Sequence, residues 1–217
     1  MSSSPSMSPV DIKSLVSEFE VAMKDPAGWC SLEKATILAS IVLSLRPKIV
    51  VELGVWMGGS ALPMAIALRR LGAGQLLAVD AWSTEASIAG QDEPAHATWW
   101  GTTMGDVGHQ HAFETFLQRL RTHGIPPDRC VVRRQRTDVA EVPAVIDVLH
   151  HDANHGPQAV DDVDRWASAV RVGGMLVIDD LDWVGGHVVR ARDRAIELGF
   201  VELYPLGTGC VMQRVRA

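Results

Sequence analysis

The sequence predicts an α/β fold: a doubly wound, seven-stranded sheet with helices on both faces, parallel except for an antiparallel hairpin at its C-terminal end. Three observations carry this expectation. Short runs rich in valine, isoleucine and leucine recur, apolar at successive positions, as strands covered on both faces are. Amphipathic stretches at helical spacing alternate with them. The last two runs, Phe200–Val201–Glu202–Leu203–Tyr204 and Cys210–Val211–Met212–Gln213–Arg214–Val215, are joined by a glycine-containing loop too short for a crossover helix, so they must pair antiparallel.

Taken in order, residues 1–10 are rich in Ser and Pro and predict a disordered tail. Asp11 or Ser14 can cap a first helix through about Met23, with Leu15, Val16, Phe19 and Met23 on one face. Asp25–Pro26–Ala27–Gly28 breaks it, and a very apolar second helix follows from Leu32 to Leu45. Residues 11–46 thus form a helical cap on a main unit of 47–217, the whole being one domain. In the main unit, Lys48–Val51 and Leu53 read as the first buried strand. It breaks into a glycine turn and enters a helix at Ser60, with Pro63 in its first turn. Gln75–Asp80 is the second strand. Ala81 to about Gln110 has no clear periodicity and holds Trp82, His96, Trp99, Trp100 and His109. So long a loop suggests an acceptor-binding lid, or equally a mobile surface insertion.

A helix from His111 to Thr122 and a third strand at Cys130–Val132 come next, then a short helical segment from Val139 to Val145. Val145–Asp152 is the fourth strand. Pro157–Val170 is a helix stopped by Gly173–Gly174, and Met175–Asp180 is the fifth strand. His187–Leu198 is the last helix, closed by Gly199.

Composition bounds the function. With 47% hydrophobic and 21% charged residues, the chain has the profile of a soluble globular domain. A net charge of −6 gives no basic footprint for nucleic acid. No apolar run is long enough to cross a membrane, and residues 1–9 lack the features of a signal peptide. Cys30, Cys130 and Cys210 are scattered and odd in number, as expected of reduced thiols in a cytoplasmic protein. Nothing in the composition speaks against a homo-oligomer.

The strand–glycine turn–helix unit after Val51 is the crevice in which α/β folds bind nucleotide-like ligands. Glycine there lets a ligand approach the backbone. A dinucleotide fingerprint needs glycine at position 56, where Trp56 stands; an NAD-dependent enzyme is therefore disfavoured. The pattern present is Glu52-x-Gly54-x-x-x-Gly58-Gly59-Ser60, with Asp80 ending the next strand, placed to accept ribose hydroxyls. This resembles the first motif of class I S-adenosylmethionine-dependent methyltransferases, in the form carried by the catechol O-methyltransferase branch. From Trp29 to the C-terminus the resemblance implies a Rossmann-like sheet distinguished by its antiparallel hairpin. It implies S-adenosylmethionine as cofactor and a segment around Trp29 that closes over it. Glu52, Gly54, Gly58, Gly59, Ser60, Asp80, Thr137, Asp138 and Asp152 are the cofactor-binding candidates.

The fourth strand ends in His150–His151–Asp152–Ala153–Asn154–His155 and the fifth in Asp179–Asp180. Neighbouring parallel strands present these ends side by side. Carboxylates so close repel unless a cation sits among them. Asp152, Asp179 and Asp180 are therefore candidate ligands of a hard ion, Mg2+ or Mn2+; the alternative is that one caps a helix and the others are solvated. The arrangement resembles metal-dependent O-methyltransferases, and Asp179–Asp180 with Asp152-x-x-His155 resembles the macrocin and mycinamicin group. That resemblance implies methyl transfer to a hydroxyl of a small molecule, with Asp152 at the reacting centre and His155 as the base. The lysine that follows the catechol enzyme's aspartate is missing. His151 is expected to be structural; Asp147, deeper in the strand, and Asp161, Asp162 and Asp164, on a helix surface, are expected to be structural or solvated. Two other readings of the chain stay open: a metal-independent methyltransferase, and a non-catalytic adenosylmethionine-binding protein.

Overall fold

The computed structural model describes residues 11–24 and 29–217; the expected N-terminal tail and the break at Asp25–Gly28 lie outside the described residues. Helix α1 (Ile12–Met23) starts where Asp11 accepts the Lys13 N–H at 3.1 Å, and α2 (Leu32–Leu45) where Ser31 accepts that of Lys34 at 3.1 Å. Both helices bury apolar residues, Leu15 and Phe19 from α1 and Leu38 and Val42 from α2, in the core.

Seven strands make one sheet in the order β3-β2-β1-β4-β5-β7-β6. The strands are β1 (Ile49–Leu53), β2 (Gln75–Asp80), β3 (Cys130–Arg134), β4 (Ile146–His151), β5 (Val170–Ile178), β6 (Phe200–Leu206) and β7 (Gly209–Arg214). The first five pair in parallel, whereas β7 pairs antiparallel with both β5 and β6. The expected hairpin is thus present, turning at Gly207–Thr208. One face of the sheet packs on α1, α2, α3 (Ala61–Leu71) and α6 (Gly105–Thr122) through Phe19, Leu38, Leu62, Met64 and Phe116. The other packs on α7 (Gln158–Trp166) and α8 (His187–Glu197) through Val163, Trp166, Val188 and Ala191. Among the described residues no helix is long and apolar enough to cross a membrane.

Four expectations need correction. The stretch after β2 is mostly helical: α4 (Thr84–Ile88) and α5 (Pro94–Thr98) lead through a π-helical turn (Trp99–Met104) into α6. Neither short helix buries a residue, so no apolar stripe betrayed them; local caps at Ser83 and Glu93 start them instead. Residues 139–145 are not helical. Pro143 bars Val142 from helical geometry, and the Thr137 and Ala140 carbonyls are taken by the Trp166 indole and the Arg165 guanidinium. Gly173–Gly174 do not stop a helix but lie inside β5. Ile146 pairs with Val170 and Val148 with Met175, so Arg171–Gly174 bulge from the ladder. Asp162, expected on a helix surface, is instead fully buried and accepts from Thr137 (2.9 Å) and Gln158 (3.0 Å).

Candidate active site

The C-terminal ends of β1, β2, β4 and β5 open into a cavity of about 670 Å³. Its floor is the turn after β1. Gly54 has φ +79°, and a Cβ there would lie 1.8 Å from the Asp152 carbonyl oxygen. A Cβ on Gly58 would strike the Phe116 ring at 2.3 Å. The space that these glycines leave is therefore filled by the protein itself, not kept for a ligand. Trp56 takes a left-handed φ of +50° despite its side chain. Asp80 holds that geometry: its Oδ2 accepts the Val55 N–H at 2.9 Å and the Trp56 N–H at 2.8 Å, and its Oδ1 the Trp82 N–H at 2.7 Å. Asp80 lines the cavity, so the carboxylate expected to meet a ribose also ties down the glycine turn.

Of the residues read from sequence as cofactor-binding, Gly54, Gly59, Ser60, Thr137 and Asp138 line the cavity, while Glu52 and Gly58 lie behind its wall. Glu52 is wholly buried and accepts the Ser60 hydroxyl; His150 Nδ1 lies 3.0 Å from the same oxygen. Burial raises the Glu52 carboxyl well above its ordinary value, against the Ser60 hydrogen bond. Burial likewise drives His150 down to about 4. Burial thus disfavours the charged form of both partners. Thr137 donates to Asp162, and the Asp138 carboxylate is gripped by Arg136 at 2.8 and 3.0 Å.

Tryptophan forms the upper wall. Trp29 is 65% exposed and stacks on Trp56 at 5.6 Å and 9°. Trp100 meets Trp56 edge-on at 5.2 Å and Trp99 at 4.8 Å. Trp82, by contrast, is a core plug against Phe113 and Phe116.

The far wall carries the acids. Donor atoms of His150, Asp152 and Asp179 converge within 4.8 Å, as do those of Asp152, His155 and Asp180. Parallel pairing of β4 with β5 brings them together, as the sequence implied. Yet each acid already has a protein partner. Lys34 of α2 places its ammonium against Asp179 and 3.6 Å from Asp152. The His155 Nε2 lies 2.8 Å from Asp180 Oδ2, and its ring stacks on Trp183 at 4.0 Å and 16°. Burial pulls the Asp180 carboxyl up, but His155, with help from Lys34, outweighs it and holds it below its ordinary value. The donor set is of the kind a hard cation takes, but as arranged it does not fit one: the space between Asp152 and Asp179 holds an ammonium.

Sequence reasoning missed Lys34 among the acids and the stacking of Trp29 on Trp56. A signal for the first was available: Lys34 is the sole cation of the largely apolar helix Leu32–Leu45. His151 is buried with its Nε2 3.8 Å from Asp162, and Asp147 bonds the Lys48 and Ile49 amides at 2.7 and 3.0 Å, structural roles as expected.

Residues 51–181 match the family described as a methyltransferase domain. Among solved structures, the O-methyltransferase NovP superposes with a TM-score of 0.64 at 17% identity, covering 86% of this chain and 81% of its own. The O-methyltransferase TomG from Streptomyces achromogenes, in complex with SAM, gives 0.61 at 16%, covering 96% and 92%. An O-methyltransferase from Bacillus cereus in complex with SAH gives 0.58 at 17%, covering 97% and 94%. At these identities the likeness is one of fold. No curated protein is detectably similar in sequence.

Proposed function

Because the chain belongs to the methyltransferase-domain family, whose match spans residues 51–181, we propose that it moves a methyl group from S-adenosylmethionine to a hydroxyl of a small molecule. One observation carries the choice of chemistry. Across one cavity, a histidine held by a carboxylate faces the glycine turn and helix start where a nucleoside donor fits.

S-adenosylmethionine supplies an electrophilic methyl on its sulfonium. The residues around it would do the rest. The N-terminus of α3, with Gly59 and Ser60 at the cavity wall, suits the donor's carboxylate. Asp80 Oδ1, which accepts only the Trp82 N–H, has an acceptor site left for a ribose hydroxyl, and Thr137 and Asp138 lie where an adenine edge would reach. His155 takes the acceptor's proton at Nδ1, since Nε2 is engaged with Asp180. As that proton leaves, the acceptor oxygen forms its bond to the methyl carbon while the sulfur–carbon bond breaks. Stacking on Trp183 fixes the plane of the imidazole. Trp29, Trp56, Trp99 and Trp100 favour an acceptor with a flat or apolar face.

A divalent ion is the second reading of the same acids. Asp152, Asp179 and Asp180 would hold Mg2+ or Mn2+, whose charge would acidify the hydroxyl. The ammonium of Lys34 is the observation against it.

The test is His155→Ala, assayed against a panel of hydroxylated aromatic and glycosidic acceptors. Turnover should fall by about a hundred- to ten-thousand-fold, with calorimetric affinity for S-adenosylhomocysteine retained. Turnover close to wild type would remove His155 from the mechanism, and a wild-type chain that does not bind S-adenosylhomocysteine would remove the methyl-transfer reading.

A further inference from the structure

The acidic cluster raises a question that its own geometry answers: what offsets three carboxylates at one sheet edge? We propose that the ammonium of Lys34 is the resident cation of this cluster, standing between Asp152 and Asp179 where a divalent ion would otherwise be held. The proposal rests on reading this cavity as the transfer site, and it makes Lys34 a positioning residue for Asp152.

Lys34 is placed by the fold. Ser31 caps α2 by accepting the Lys34 backbone N–H at 3.1 Å, and Ala35, Leu38, Ala39 and Val42 bury the helix behind it. The stem has little freedom, and the side chain is only 12% exposed. An ammonium so covered is costly to leave unpaired, and so is the Asp179 carboxylate at 6%. Each satisfies the other.

The other oxygens of Asp179 and Asp180 are also engaged. Asp179 Oδ1 accepts the Asp180 N–H at 3.1 Å and the Thr208 hydroxyl at 3.3 Å, while its Oδ2 faces Lys34. Asp180 Oδ2 is bonded to His155, and its Oδ1 shares that same Thr208 hydroxyl at 3.3 Å. A hard divalent ion wants six or more oxygen ligands. To take these it would have to displace a buried ammonium and break the His155–Asp180 bond. Asp152 is the most exposed of the Lys34–Asp152–Asp179 group, at 25%, so it is the carboxylate that Lys34 presents to the cavity.

Mn2+ titration followed by electron paramagnetic resonance tests this. Wild-type protein dialysed free of metal should leave Mn2+ as the free aqua ion. Lys34→Met and Lys34→Gln, whose acids have lost their counter-charge, should each bind it at least about tenfold more tightly, the least expected from removing a unit charge a few ångströms away. Micromolar Mn2+ binding by the wild type overturns the proposal. So do folded variants that bind Mn2+ no better than the wild type. Should neither variant fold, the wild-type titration decides alone. S-adenosylhomocysteine calorimetry on the same samples reports on the donor site separately, so a failed methyl-transfer reading is distinguishable from a failed assignment of Lys34.

Discussion

Replacing Gly54 by alanine should be among the most damaging single-methyl changes available to this chain, and the structure says by how much. Two costs combine. The residue sits at φ +79°, where a Cβ adds roughly 1–2 kcal/mol. That Cβ would also lie 1.8 Å from the Asp152 carbonyl oxygen, so β1 and β4 must part at their C-terminal ends. The Asp152 N–H bond to Leu53 O and the Gly54 N–H bond to Val79 O, both 2.9 Å, lie in that path, at about 1 kcal/mol each. The sum is about 3–4 kcal/mol, a large part of the roughly 5–15 kcal/mol that holds a typical domain. Gly72→Ala is the control: its φ is +66°, but nothing lies within 4 Å of the added Cβ. It should cost only the conformational part, about 1–2 kcal/mol. Urea unfolding followed by far-ultraviolet circular dichroism gives both values on one scale. Equal destabilisation by the two substitutions would refute the argument that close approach of strand ends is what demands glycine at position 54.

Two further outcomes follow from buried groups. Burial pushes the thiols of Cys30 and Cys130 up to about 12 and that of Cys210 to about 11. Iodoacetamide at pH 8 should therefore label the native chain at least about a hundredfold more slowly than the urea-unfolded chain, and one rapidly labelled equivalent would contradict this. Burial pulls the Asp147 carboxyl up, but Arg171 and the Ile49 and Lys48 amides outweigh it, so its folded value lies below 3.8. Its stabilisation is then present above 3.8 and is lost as the pH falls through the folded value. Asp147→Asn should cost roughly 1.5–3 kcal/mol at pH 7 and progressively less in acid, read as a converging pair of melting curves. A gap that stays constant with pH would rule out the ionised carboxylate as the source.

The parts of the fold that could be read from sequence are those whose pattern is set by the sheet. Leu76–Val79, the middle of the run Gln75–Asp80, are four successive buried apolar residues, as a strand covered on both faces needs. Helix α2 was likewise legible to the residue, because Ser31 marks its start and Leu45 its last apolar position. The elements that escaped take their geometry from elsewhere. Helices α4 and α5 bury nothing, and in the segment at 139–145 the Ala140 carbonyl goes to Arg165 of α7 rather than to a turn of its own. At the site, strand ends told which acids converge, since adjacency in a parallel sheet fixes that. They could not tell what neutralises them. Lys34 lies more than a hundred residues away in sequence, and its approach to Asp179 depends on how α2 packs, which no local pattern encodes.

The tryptophan wall also gives the protein an optical character. Five of its seven indoles, Trp29, Trp56, Trp99, Trp100 and Trp183, line the cavity, and only Trp82 and Trp166 are core plugs. Four of the five stand with centroids 4.8–5.8 Å apart. Chromophores so close exchange excitation and couple their transition dipoles. Emission and near-ultraviolet ellipticity of the folded chain are thus dominated by the mouth of the crevice rather than by the core. An aromatic guest settling among these rings would change the spectrum without any label, which gives a way to screen acceptors before any turnover assay exists.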